Sequence, residues 1–161
     1  MTADPAWARL VRAEHDYLVA RQEILDADPV ATLRAVFASG RDQRTALRLL
    51  DGLAAGRPDL VVALLPEVFE AALSLEKDGM LARQLLARLT GPERDQALEP
   101  LVAGQIGDPD PERWAELRAL ATLLEELGRL DLLERLKDAV RDSPSEDLRD
   151  IAEDFPEMTD D

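Results

Sequence analysis

Apolar residues along the chain recur at spacings of three and four, the period of one face of an amphipathic helix. Behind the start signal Asp4-Pro5, one stripe collects Trp7, Leu10, Val11, Leu18 and Leu25, widened by Tyr17 and Ile24, which predicts a helix from about Pro5 to Asp26. Asp28-Pro29 repeats the signal, and Val30, Leu33, Val36 and Phe37 form a short second helix stopped at Ser39-Gly40. Asp42 is expected to cap a third, with Ala46, Leu49, Leu50 and Leu53 inward. A fourth opens at Pro58 or Asp59 and carries Leu60, Leu64 and Val68, with Pro66 inside it predicting a kink.

Asp78-Gly79 closes that segment and caps a fifth helix built on Leu81, Ala82, Leu85, Leu86 and Leu89. After Gly91-Pro92, a sixth carries Ala97, Leu98, Leu101 and Val102 around an internal Pro100. The break Gly107-Asp108-Pro109-Asp110-Pro111 precedes a long seventh, from Trp114 to Leu127, ended by Gly128, and Leu130 to Val140 make an eighth. A last, weak helix is expected over Asp147 to Asp154, with disorder beyond Phe155-Pro156.

Local patterns recur along this series. Leu49-Leu50-Asp51-Gly52-Leu53 resembles Leu85-Leu86-Ala87-Arg88-Leu89 at a shift of 36, and Ala63-Leu64-Leu65-Pro66-Glu67-Val68 resembles Ala97-Leu98-Glu99-Pro100-Leu101-Val102 at a shift of 34. A two-helix unit of that length cannot bury its own apolar face and must stack on the next, so the period predicts a short α-solenoid with room for about four hairpins.

The stretch Leu64-Leu65-Pro66-Glu67-Val68-Phe69 followed by Asp78-Gly79-Met80-Leu81-Ala82-Arg83 resembles the HEAT-repeat and armadillo group. A weaker copy runs from Leu98-Glu99-Pro100-Leu101-Val102 to Asp110, Trp114, Ala115 and Arg118, and a fragment remains in Asp42-Gln43-Arg44-Thr45-Ala46-Leu47-Arg48. The resemblance spans roughly residues 29 to 141; Leu130 to Val140 lacks the proline, and the first helix has no repeat partner. It implies an all-α, right-handed stack of antiparallel hairpins behind an N-terminal helix, with a repeat domain over residues 1–141 and an acidic C-terminal tail over 142–161. A tetratricopeptide array ranks second.

Composition supports helices: leucine and alanine supply 53 residues, while Val, Ile and Thr supply 18. There is no cysteine, which removes disulfides and thiol chemistry and suits a reducing cytoplasm. The start lacks a basic region followed by an apolar run, and no stretch is apolar for long enough to span a bilayer, so a soluble cytoplasmic protein is expected. Arginine outnumbers lysine 17 to 2, the bias of a GC-rich, bacterial-type coding sequence. Net charge is −15, of which −8 falls in residues 142–161. That balance repels phosphate backbones and argues against nucleic acid as a partner.

Candidate chemistry is sparse. His15 is the only histidine and is expected beside the buried face of the first helix, not in a metal site. Asp108 with Asp110, and Glu125 with Glu126, lack the alternating oxygen ligands and turn glycine of a calcium loop. No glycine-rich phosphate loop is present, and none of Ser39, Ser74, Ser143 and Ser145 sits in a nucleophile elbow. No catalytic, metal or cofactor-binding residue is therefore nominated. Trp7 and Trp114 fall on apolar stripes and are expected in the core.

What remains is recognition. Arg83 and Arg118 stand 35 residues apart, close to one period, and with Arg48 are candidates for a ladder on one face. Leu148, Ile151 and Phe155, interleaved with acids, are candidates for docking on a basic, apolar groove. The expectation is a non-catalytic adaptor that binds another protein. The alternative is an acidic inhibitor of the immunity-protein or antitoxin kind, covering a basic site of its partner.

Overall fold

The computed structural model describes residues 4–155, and over these residues the chain is all-α. The helices are α1 (Pro5–Asp26), α2 (Pro29–Ser39), α3 (Gln43–Leu53), α4 (Pro58–Ala63), α5 (Leu65–Ala72), α6 (Lys77–Arg88), α7 (Pro92–Ile106), α8 (Trp114–Glu126), α9 (Leu130–Val140) and α10 (Glu146–Asp154). A 3₁₀ turn, Pro111–Arg113, leads into α8.

Several boundaries follow directly from the caps. The Asp4 carboxylate accepts the Ala6 N–H at 2.7 Å, and Asp28 accepts that of Ala31 at 3.0 Å, each ahead of a proline that needs no partner for its nitrogen. Asp110 accepts the Glu112 N–H at 2.9 Å and starts the 3₁₀ turn. Gly40, at φ +66°, ends α2 in the left-handed conformation.

Three local expectations need correction. The fourth helix is two helices: with no N–H at Pro66, the chain ends α4 at Ala63, passes through Leu64 at φ −101° and ψ 12°, and restarts with Pro66 in the first turn of α5. Asp42 occupies the N-cap position of α3, but in the left-handed region at φ +58° and without a capping bond from its side chain. Asp78 lies inside the first turn of α6, where its carboxylate accepts Arg44 Nε at 2.7 Å instead of capping the helix.

The order of neighbours is regular. Helix α2 packs beside α4, α4 and α5 beside α7, and α7 beside α9; α3 packs beside α6, α6 beside α8, and α8 beside α10. The core is mostly leucine, with Leu47, Leu50, Leu64, Leu65, Leu85, Leu86, Leu98, Leu120 and Leu124 fully buried together with Phe69. Ion pairs tie helices that are one sequence period apart: Arg34 to Glu67 at 2.5 Å, Asp51 to Arg88 at 2.5 Å, Arg129 to Asp95 at 3.7 Å, and Arg118 to Asp154.

The acidic segment after residue 141 is partly folded. Helix α10 packs on α8 and α9, with Leu148 and Ile151 buried and Phe155 half-buried against the core. The expected disorder beyond Phe155 falls on residues 156–161, outside the described residues.

Candidate functional site

Helix α1 behaves unlike every other long helix. It contains no buried residue, and its one substantial neighbour is α2. Only Ile24 and Leu25, at its C-terminal end, reach the core. The preceding four turns leave the apolar stripe in solvent: Trp7 is 60% exposed, Leu10 59% and Leu18 48%, with Val11 and Tyr17 similarly open. The expectation that this stripe faces the core, with Trp7 packed inside and His15 beside a buried surface, is corrected: His15 is exposed as well. Among the described residues, α2 is the one helix with substantial contact to α1, and only the C-terminal end of α1 reaches the core.

Glu14 and Arg21 stand in the middle of this stripe, because residues 7, 14 and 21 share one line along a helix, flanked by Leu10 and Tyr17 on one side and Val11 and Leu18 on the other. Charges on the midline are poor core-facing residues, since each would need a buried partner. They are a signal in the sequence against a core-facing stripe, one that a reading by apolar period alone passes over.

The arginine ladder does not assemble. Arg48 is exposed on α3 and makes no ion pair among the described residues. Arg83 is 7% exposed and turned inward, its Nη1 donating to the Ala72 carbonyl at 2.9 Å and the Ser74 carbonyl at 2.6 Å, so it closes the C-terminal end of α5. Burial lowers the Arg83 pKa from the ordinary arginine value, opposed by the negative charge of Glu126. Arg118 is spent on Asp154 and fastens α10 to α8. Equal spacing along the sequence thus gave three different environments.

The tail candidates are likewise committed. Leu148 and Ile151 belong to the core, which leaves only the half-buried Phe155 near the surface. Trp114, expected inside, is 40% exposed at the start of α8.

An open groove of about 480 Å³ lies between α2 and α5, lined by Arg34, Phe37, Pro66, Glu67, Glu70 and Ala71. Arg34 crosses it, donating to Glu67 and to the Ala63 carbonyl at 3.1 Å. Among the described residues, no three His, Asp or Glu side chains are grouped to hold a metal ion, and no helix is long and apolar enough to cross a membrane.

No protein-family model, curated protein or solved structure matches the chain. The site is therefore defined by its own geometry: an exposed helix with an apolar face and two opposite charges on its midline.

Proposed function

We propose that the protein is a non-catalytic protein-binding adaptor, a short HEAT-like α-solenoid that offers the exposed face of α1 to a protein partner. The carrying observation is that face: Trp7, Leu10, Val11, Tyr17 and Leu18 are exposed on one side of a helix with no buried residue, around the midline charge Glu14. Exposed apolar side chains grouped on one face and rimmed by charge mark interaction sites, and large aromatic side chains such as Trp7 are frequent anchors. The alternating neighbour order of α2 to α10, and ion pairs one period apart, support the stacked-hairpin reading of the body.

The inhibitor alternative rests on an acidic surface that covers a basic site of the partner, and the net charge of −15 stays in its favour. A cytoplasmic setting fits a cysteine-free chain.

The test is substitution of the strip. Leu10→Glu with Leu18→Glu is expected to leave the folded body intact and to abolish association with the protein's partner, whether that partner is another protein or a second copy. Unchanged association would overturn the proposal.

A further inference from the structure

We infer that the face of α1 is self-complementary and pairs, antiparallel, with α1 of a second copy. This rests on the reading of that face as a docking surface and names its occupant.

The inference comes from the placement of charge. Glu14 and Arg21 occupy the same midline, one on each side of the point between Tyr17 and Leu18, and among the described residues neither has an ion-pair partner. A two-fold axis through that point sets Glu14 level with the partner's Arg21, and Arg21 level with the partner's Glu14. Both midline charges are then neutralised at once, because the same patch serves on both subunits of a two-fold dimer.

The apolar rows obey the same axis. Leu10 falls within one residue's rise, about 1.5 Å along the helix, of the partner's Ile24, and Val11 of the partner's Leu25, where only the part of the half-buried Arg21, Ile24 and Leu25 left open by the chain's own core is offered to the partner. Tyr17 and Leu18 meet their own copies at the centre. A parallel arrangement would instead place Glu14 against the partner's Glu14 and Arg21 against the partner's Arg21, like charges on a desolvated line.

The charge of α1 is compatible with this pairing. The chain carries −15, yet α1 holds Arg9, Arg12 and Arg21 against Glu14, Asp16, Glu23 and Asp26, a net of −1. Two copies that meet through α1 join faces that are close to neutral.

The experiment measures mass in solution by light scattering and sedimentation over a concentration series. The parent chain is expected to approach twice 17.8 kDa. E14R alone and R21E alone each bring like charges together at both ends, and each is expected to weaken the dimer by about tenfold or more. An equimolar mixture of E14R and R21E restores both pairs. The two introduced charges, opposite in sign, face each other at one end, and the native Arg21 of one chain faces the native Glu14 of the other at the second. The mixture is therefore expected to recover the dimer. Unchanged melting curves for the two variants show that loss of mass is not loss of fold.

A parent chain that stays monomeric at the highest concentration reached overturns the inference. So does a dimer that ignores both reversals, or a mixture that fails to recover. A monomeric parent that still loses another protein's binding on L10E/L18E overturns self-pairing while leaving the docking face in place.

Discussion

Gly79, at the start of α6, lies so close to Ser74 that a methyl group on its Cα would stand 1.8 Å from the Ser74 carbonyl oxygen. The obstacle is backbone, which cannot swing aside as the end of a flexible side chain would. Glycine is therefore required here by the close approach of the α5–α6 connection, although Asp78-Gly79 in the sequence reads only as a breaker. Gly79→Ala is expected to cost about 3 kcal/mol, and hence to lower the melting temperature by about 6–12 °C in a chain of this size. Thermal unfolding followed by circular dichroism checks this, and a melting temperature within a degree of the parent would contradict it.

Arg83 closes α5 through two carbonyls on a side chain that is almost fully buried. Arg83→Met keeps the apolar stem and leaves the Ala72 and Ser74 carbonyls without that donor, at an expected cost of about 2–3 kcal/mol. Arg48→Met, on an exposed side chain with no ion pair among the described residues, is expected to change stability by less than about 0.5 kcal/mol. Urea denaturation of the two variants side by side separates these roles. Equal effects would refute the assignment of Arg83 to the fold.

The chain's C-terminal helix is expected to be part of the folding unit. Leu148→Ala or Ile151→Ala removes a buried side chain from the contact of α10 with α8 and α9 and should cost about 2–4 kcal/mol. Chemical denaturation of either variant measures this, and a change below about half a kcal/mol would mean that α10 is not packed in solution.

Arg129 donates to Asp131 at 2.9 Å and to Glu99 at 2.8 Å, linking the start of α9 to α7. The Arg129 hydrogen bond holds the Asp131 carboxyl below its ordinary value of 3.8, while burial opposes the shift. A carboxyl depressed in the folded state contributes stability that is fully present above its unfolded pKa and is lost as pH falls through the folded value. Stability is thus expected to drop below about pH 4 by an increment that Asp131→Asn lacks. Because Asp131 is largely exposed, that increment is small, under about 1 kcal/mol. Parallel pH titrations of the melting temperature test it; identical acid slopes for parent and variant would contradict it.

Helix limits were largely legible in the sequence, because Asp-Pro starts and glycine stops act locally. The limits of α1, the end of α2 at Ser39-Gly40 and the span of α9 all follow from such signals. Burial was less legible, for reasons that differ by element. The period of α1 shows that its stripe suits a partner but cannot say whether the partner lies in the same chain. For α10 the acids dominated the reading, although Leu148, Ile151 and Phe155 stand at helical spacing and pack against the core. The arginines were misplaced because a shift of 35 residues fixes position along a repeat, whereas the Ser74 carbonyl decides where the Arg83 side chain goes.

The most direct test of the central claim is the unfolding free energy of the Leu10→Glu, Leu18→Glu chain, measured at a concentration low enough for the parent to be monomeric. If the α1 face is a docking surface outside the core, stability should stay within about 0.5 kcal/mol of the parent for each substitution, while association is lost. A loss of several kcal/mol, the size expected on placing a charge in a packed core, would show that α1 is buried against its own chain and would contradict the account.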